Sequence, residues 1–344
     1  MRSPLLLALA ALVTACAPAV TSPSSPLPEV TASLPLPTTP AQIRIRVVVM
    51  GDQGTGTEVQ RRVASAMQAV CLRDGCDLGV GLGDNFYPAG PHDPASPLFR
   101  ERFAEQYGPL GVPFLMVAGN HDESWLLGGD GADARGADAE VAYARTHPQW
   151  VMPARTYRAP AGDLVEFFAV DTSPLAAYLP PRRANERPGG PWDAAQRAWL
   201  AGALASSQAR WRLVLGHHPL FSNGKHGDAG HYDRLPLPGQ RGDAVRVLYS
   251  AACGRADGIL SGHDHALLGF APQPECPGTR QWVSGAAGKV EAGRSGTRPA
   301  TFEVVDQPGF LWLEITRETL TVRAFTVGED GQPREVHTDT VRKP

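Results

Sequence analysis

Five short glycine-bounded segments carry the residues of this chain best suited to holding metal ions. They are Gly51-Asp52, Gly83-Asp84-Asn85-Phe86-Tyr87, Gly119-Asn120-His121-Asp122, Gly216-His217-His218-Pro219 and Gly262-His263-Asp264-His265. From them come Asp52, Asp84, Asn120, His217, His263 and His265, a set that mixes hard oxygen ligands with imidazoles. A carboxylate shared between two cations lowers their mutual repulsion, and Asp84 is placed to be that bridge. Two metals ~3.5–4 Å apart can activate a water and clamp the oxygens of an in-line phosphoryl displacement. Any one segment alone would be an ordinary turn. The reading rests on all five occurring in order.

These residues are positioned by what precedes them. Ile43–Met50, Val112–Ala118, Arg212–Leu215 and Gly258–Leu260 are apolar runs rich in branched residues, and Leu78–Leu82 is a shorter one. Such runs bounded by glycine predict buried strands. In open α/β sheets, ligands gather beyond the carboxyl ends of the strands, so residues more than two hundred positions apart can share one crevice. Because the candidates run from Asp52 to His265, one domain over 42–342 is expected. Val59, Val63, Met67 and Val70 give a helix after the first strand, and Phe99, Phe103 and Tyr107 form an aromatic core stripe on a second. Asp193-Ala194-Ala195-Gln196 predicts a capping box, and Arg155–Ala159 with Leu164–Val170 predicts a hairpin. Leu127 to Gln149 reads as a long surface loop with one helical turn at Ala139–Arg145. Asp171 reads as a turn cap, His218 and His231 as loop residues, and His92 as at most a substrate-side residue. The glycines of Gly51-Asp52-Gln53-Gly54-Thr55-Gly56 lack the phosphate-loop lysine and mark a turn.

With a net charge of −3 over 344 residues and no basic block, the chain offers no phosphate-reading surface for nucleic acid. At the N-terminus, Arg2, the apolar Leu5–Val13 and Val13-Thr14-Ala15-Cys16 resemble a bacterial lipoprotein signal, too short to span a bilayer. The resemblance implies cleavage before Cys16, its lipidation, and export to a periplasmic or cell-surface location. An ordinary secretory peptide is the competing expectation. Residues 17–41, rich in proline, serine and threonine, predict an extended tether. Cys71, Cys76, Cys253 and Cys276 remain, an even count that reads as two disulfides in an oxidising compartment. Three connectivities exist, and Cys71–Cys76 with Cys253–Cys276 is favoured because each closes a local loop.

The ordered motifs resemble those of the calcineurin-like metallophosphoesterases. Gly83-Asp84-Asn85-Phe86-Tyr87, with a tyrosine three residues after the bridging aspartate, resembles more closely the small, tartrate-resistant type of purple acid phosphatase. The resemblance runs over residues 43 to 340 and includes Ser284-Gly285-Ala286-Ala287-Gly288. It implies an α/β, four-layer αββα sandwich of two mixed β-sheets flanked by helices. It further implies that Asp52, Asp84, Tyr87 and His265 hold Fe(III), and that Asp84, Asn120, His217 and His263 hold Fe(II), Zn or Mn. His121 resembles the outer histidine that binds phosphate or protonates the leaving alkoxide, and His226 of Gly224-Lys225-His226-Gly227 matches a second one. The region Trp125 to Trp150 has no clear counterpart in that pattern, and the mammalian members pair their cysteines elsewhere.

The activity implied is hydrolysis of small phosphomonoesters by a metal-bound hydroxide, as an acid phosphatase. The protein is expected to be a monomer attached to a membrane only through Cys16. Two rivals stand beside this: a phosphodiesterase of the same superfamily, and a non-catalytic lipoprotein that binds metal or phosphate. Loops Trp125–Trp150 and Ser222–Gln240 are expected to shape the substrate.

Overall fold

Branched residues that hide on both faces build the strands. In β1 (Arg44–Met50) and β2 (Leu78–Leu82) nearly every side chain is buried, as a strand covered on both sides requires. The structure, a computed structural model, describes residues 26–34, 44–237 and 239–343.

Two mixed seven-stranded sheets face each other. In spatial order the first contains β14 (Pro333–Arg342), β13 (Thr319–Val327), β12 (Gly309–Thr316), β1, β2, β3 (Phe114–Val117) and β4 (Trp150–Val151). The second contains β11 (Phe302–Val304), β9 (Leu267–Phe270), β10 (Arg280–Ser284), β8 (Gly258–Ser261), β7 (Trp211–Leu215), β6 (Val165–Ala169) and β5 (Tyr157–Ala161). Within the first, β1, β2 and β3 run parallel; within the second, β6, β7, β8 and β10 do. All of these expose their carboxyl ends to the same crevice.

Alternation along single strands divides the interior. Phe167, Leu213 and Leu215 join the core between the sheets, while Phe168 and Val214 pack outward against helices. α1 (Glu58–Asp74) covers the first sheet with Val63, Met67 and Val70. It neighbours a helical stretch of α2 (Pro97–Phe99), a π turn (Arg100–Ala104) and α3 (Glu105–Tyr107). α4 (Arg135–Ala144) follows, and α5 (Pro191–Ser206) and α6 (Asp243–Ser250) cover the second sheet. This is the four-layer αββα sandwich that the motifs implied, and both expected disulfides, Cys71–Cys76 and Cys253–Cys276, are formed.

Three local expectations need revision. The single turn expected in the long loop is the ten-residue α4, whose buried Glu140 reaches Asn85 under the site. Polar residues that face inward carry no amphipathic signal. α5 begins at Pro191 with Gly190 as its cap, not at a capping box. Asp193 instead accepts from the Gly189 amide (2.7 Å), and Gln196 ties down Asp171 and Thr156. Finally, part of the expected tether is docked: the backbone of Val30 and Ala32 bonds Arg158 on the β5 edge (2.8 and 2.7 Å). An open strand edge offers unpaired amides and carbonyls, and an extended proline-rich segment can meet them. Cys16 and the rest of that segment lie outside the described residues.

Leu213 is fully buried between the sheets, so Leu213→Ala should cost about 2–5 kcal/mol in urea unfolding. Leu72→Ala, at a site 81% exposed, should stay within about 0.5 kcal/mol. Arg73 and Arg323 donate to Asp74 and hold its pKa down to about 2. Its stabilisation is complete above the ordinary carboxylate range and is lost as pH falls through about 2. Asp74→Asn should therefore flatten that part of the acid unfolding profile, read by circular dichroism.

Candidate metal centre

The first carboxylate is delivered by the turn after β1, and the second by the turn after β2. Asp52 (φ 58°) and Asp84 (φ 53°) both occupy the left-handed region, as does His263 (φ 67°) after β8. That conformation is costly for residues with a Cβ and is held only where surroundings over-determine it. Here the backbone is tied across the crevice. The His263 amide donates to Asp52 Oδ2 (2.8 Å), and the His121 amide donates to Asp84 Oδ1 (2.9 Å).

Asp84 divides the donors into two groups. Its Oδ2 lies 2.8 Å from the Tyr87 hydroxyl, which is also 3.1 Å from Asp52 Oδ1 and 3.3 Å from His265 Nε2. Its Oδ1 lies 3.4 Å from His217 Nε2. That nitrogen is 2.8 Å from Asn120 Oδ1, which in turn is 3.1 Å from His263 Nδ1. Seven of the nine positions expected from sequence converge in this way, and the other two, His121 and His226, flank the groups. The left-handed bend at His263 sends the two imidazoles of the His-x-His to different groups.

The donor chemistry can be tested for its fit to cations. The Leu82 carbonyl accepts from His217 Nδ1 (2.8 Å), so that in the neutral form of the ring Nε2 would present a lone pair. That lone pair faces the Asn120 and Asp84 oxygens, an arrangement that repels unless a proton or a cation lies between. On the other side a single phenolic proton faces two carboxylates. His263 Nε2 is buried without a hydrogen-bond partner. Among the described residues, no Lys or Arg pairs with Asp52 or Asp84, whose ion-pair partners are imidazoles. Burial opposes ionisation of Asp84, yet the His217 and His121 imidazoles hold its pKa below the usual carboxylate range. Burial and then the Asp84 and Asp52 charges push the Tyr87 phenol well above its ordinary value. These groups fit two metal ions.

Imidazole orientation comes from residues that drew no attention in the sequence. Glu291 lies 3.1 Å from His265 Nδ1 and 3.3 Å from His226 Nε2, while Asp233 is 2.7 Å from His226 Nδ1. Although burial opposes it, these two carboxylates raise the His226 pKa to about 10, so the ring is an imidazolium. Asp264, between the two histidines, turns the other way and accepts the His226 and Gly227 amides. Asp122 takes the amides of Asn85, Phe86 and Gly119, bracing the Asp84 turn from below. Only Asp122 and Asp264 had a signal, their place inside the motifs. His121 Nδ1 donates to the Pro88 carbonyl (2.8 Å), with its ring against Tyr87.

The remaining candidates separate clearly. Asp171 accepts the Ser173 amide and pairs with Arg155, as a turn cap should. His231 and His92 are exposed. His218 differs from expectation: it is buried between Thr172 and the His263 ring, and burial lowers its pKa.

Two facing sheets that present paired carboxylate, imidazole, amide and phenol donors define an α/β-sandwich protein with a two-metal ligand set. The chain belongs to the calcineurin-like phosphoesterase family, which it matches over residues 45–267. It is similar to the tartrate-resistant acid phosphatase type 5 of Sus scrofa, with 29% identity over 65% of this chain and 64% of that protein. The corresponding figures are 30%, 65% and 67% for the Mus musculus protein. Purple acid phosphatase 17 of Arabidopsis thaliana is 28% identical over 82% of this chain and 81% of its own. In fold, the chain resembles a purple acid phosphatase from yellow lupin seeds (TM-score 0.62, 19% identity, 89% of this chain, 55% of that one). It also resembles the anchor in the inner membrane complex of Plasmodium (TM-score 0.66, 18% identity, 88% and 89%).

A Cβ at Gly119 would stand 2.2 Å from the amide nitrogen and Oδ1 of Asp84. Gly119→Ala should therefore weaken metal retention by about 10–100-fold, the scale of lost support around a ligand. Metal content after dialysis against graded chelator tests this, with circular dichroism as the check on folding.

Proposed function

We propose that this protein hydrolyses phosphomonoesters as an acid phosphatase, with Asp52, Asp84, Tyr87 and His265 holding Fe(III) and Asp84, Asn120, His217 and His263 holding Fe(II), Zn or Mn. The observation that carries the reading is the Tyr87 hydroxyl within reach of Asp52, Asp84 and His265. Similarity to tartrate-resistant and purple acid phosphatases supports it. Bound there, two cations supply Lewis acidity toward phosphoryl oxygens and lower the pKa of water.

The protein's own residues do the rest. The Leu82 carbonyl and Glu291 fix the rings of His217 and His265, so that Nε2 of each faces the centre. The Gly129 carbonyl holds the Asn120 amide nitrogen (2.7 Å), which turns Oδ1 inward. His121, anchored at Nδ1 by Pro88, keeps Nε2 for the substrate. As an imidazolium it donates that proton to the leaving oxygen, a role suited to acidic and neutral pH. His226, held cationic by Asp233 and Glu291, supplies positive charge beside the phosphoryl group. Export, with lipidation at Cys16, is part of the same proposal. The two disulfides support it, since such bonds persist in oxidising compartments.

The visible spectrum of the purified protein tests the tyrosinate reading. A broad absorption that vanishes in Tyr87→Phe is expected, and a colourless protein that retains two metals after oxidation would refute it. Turnover of a monoester should exceed that of a diester on the same preparation. His121→Ala should lower kcat by about 10²–10⁴-fold; unchanged phosphate release would remove His121 from catalysis, and no release by the metal-loaded wild type would point to a binding protein instead.

A further inference from the structure

Trp125, Leu126 and Leu127 are 44%, 65% and 66% exposed, the only consecutive large apolar residues so exposed among the described residues. A solvent-facing run of this kind is a liability unless it has a use. The tip that carries it is fastened rather than loose. The amides of Trp125, Leu126 and Leu127 all donate to the fully buried Asp130 carboxylate (2.9, 2.7 and 2.8 Å). Arg182 lies over the Trp125 ring, 5.2 Å from its centroid, and pairs with Asp133.

The same loop is part of the wall of the metal centre. Its Gly129 carbonyl orients Asn120, and a Cβ at Gly129 would come within 2.6 Å of His121 Nε2. Gly129 (φ 90°) thus lets the backbone close over the atom that faces the leaving oxygen. The apolar tip ends two residues before it, which puts Leu127 beside that wall, on the side from which the organic part of a bound phosphomonoester would emerge. A polyol or sugar there would meet Trp125, Leu126 and Leu127 without hydrogen-bond partners, whereas an aryl or alkyl group would bury apolar surface.

Resting on the function proposed above, we propose that the Trp125-Leu126-Leu127 tip is a specificity element that selects phosphomonoesters of apolar alcohols, aryl or alkyl, over those of polar ones. Binding to the metal-loaded protein can be measured by calorimetry with two non-hydrolysable probes, phenylphosphonate and methylphosphonate. Phenylphosphonate should bind about tenfold more tightly, the discrimination that a small apolar contact gives. In the Trp125→Ala/Leu126→Ser/Leu127→Ser variant, and partly in Leu127→Ser alone, that preference should collapse while inorganic phosphate binds as before. The ratio of kcat/KM for phenyl phosphate over glycerol phosphate should fall in parallel in the variant relative to the wild type. Equal binding of both phosphonates by the wild type, or a preference that survives the triple substitution, overturns this inference and leaves the phosphatase reading standing. Binding of neither phosphonate nor phosphate overturns both. Equal phosphonate binding together with loop-dependent capture by phosphatidylcholine vesicles would replace it with a membrane-docking role.

Discussion

Everything at the crevice depends on one buried carboxylate facing two ways. Asp84 offers each oxygen to a separate donor group, and it does so without a Lys or Arg partner among the described residues. A buried charge must be compensated, and here the surroundings are lone pairs, a phenol and imidazoles. Such a site is arranged around charge that the polypeptide does not itself contain. The strained turns at Asp52, Asp84 and His263 follow from this, because only those conformations aim the side chains of separate strands at one point.

Holding that arrangement takes a second layer of polar residues. Beneath the first sheet, Asp122, Asn85, Gln53 and Glu140 form a buried network that fixes the turns after β2 and β3. Burial and then neighbouring carboxylate charge raise the pKa of Asp122 and Glu140. Above the second sheet, Asp264 and Asp233 set the loop that brings in His226. Close approach matters too: a Cβ at Gly262 would stand 2.5 Å from Asp52 Oδ2, so the two sheets meet there through glycine.

The loops show where this chain departs from the pattern it resembles. Between Asp122 and α4 the backbone folds back over Asn120 and His121, secured by Asp130 and three left-handed glycines, Gly128, Gly129 and Gly131. The segment completes the site's wall and brings exposed apolar side chains to its rim. Exposed loops on fixed scaffolds are where recognition is usually carried, and the proposed selectivity of this tip follows that rule.

Much of this was legible in the chain alone. Runs such as Val47-Val48-Val49 and Leu213-Val214-Leu215 announce strands because the pleat buries alternate residues on two covered faces. Glycine followed by Asp, Asn or His announces turns that aim ligands, since local sterics dictate both. Short strands were harder: β4 and β9 carry little pattern over two and four residues. Glu291, Asp233 and Glu140 were invisible for another reason. Their value lies in what they face, and no spacing rule relates residue 291 to residue 226. The sequence by itself determined the donor types and their order along the chain, because backbone preference and apolar periodicity are local. Only the tertiary structure decided which oxygen of Asp84 serves which group, which carboxylates orient the imidazoles, and that an apolar tip stands at the rim. Those are contacts between distant segments, set by how two sheets pack.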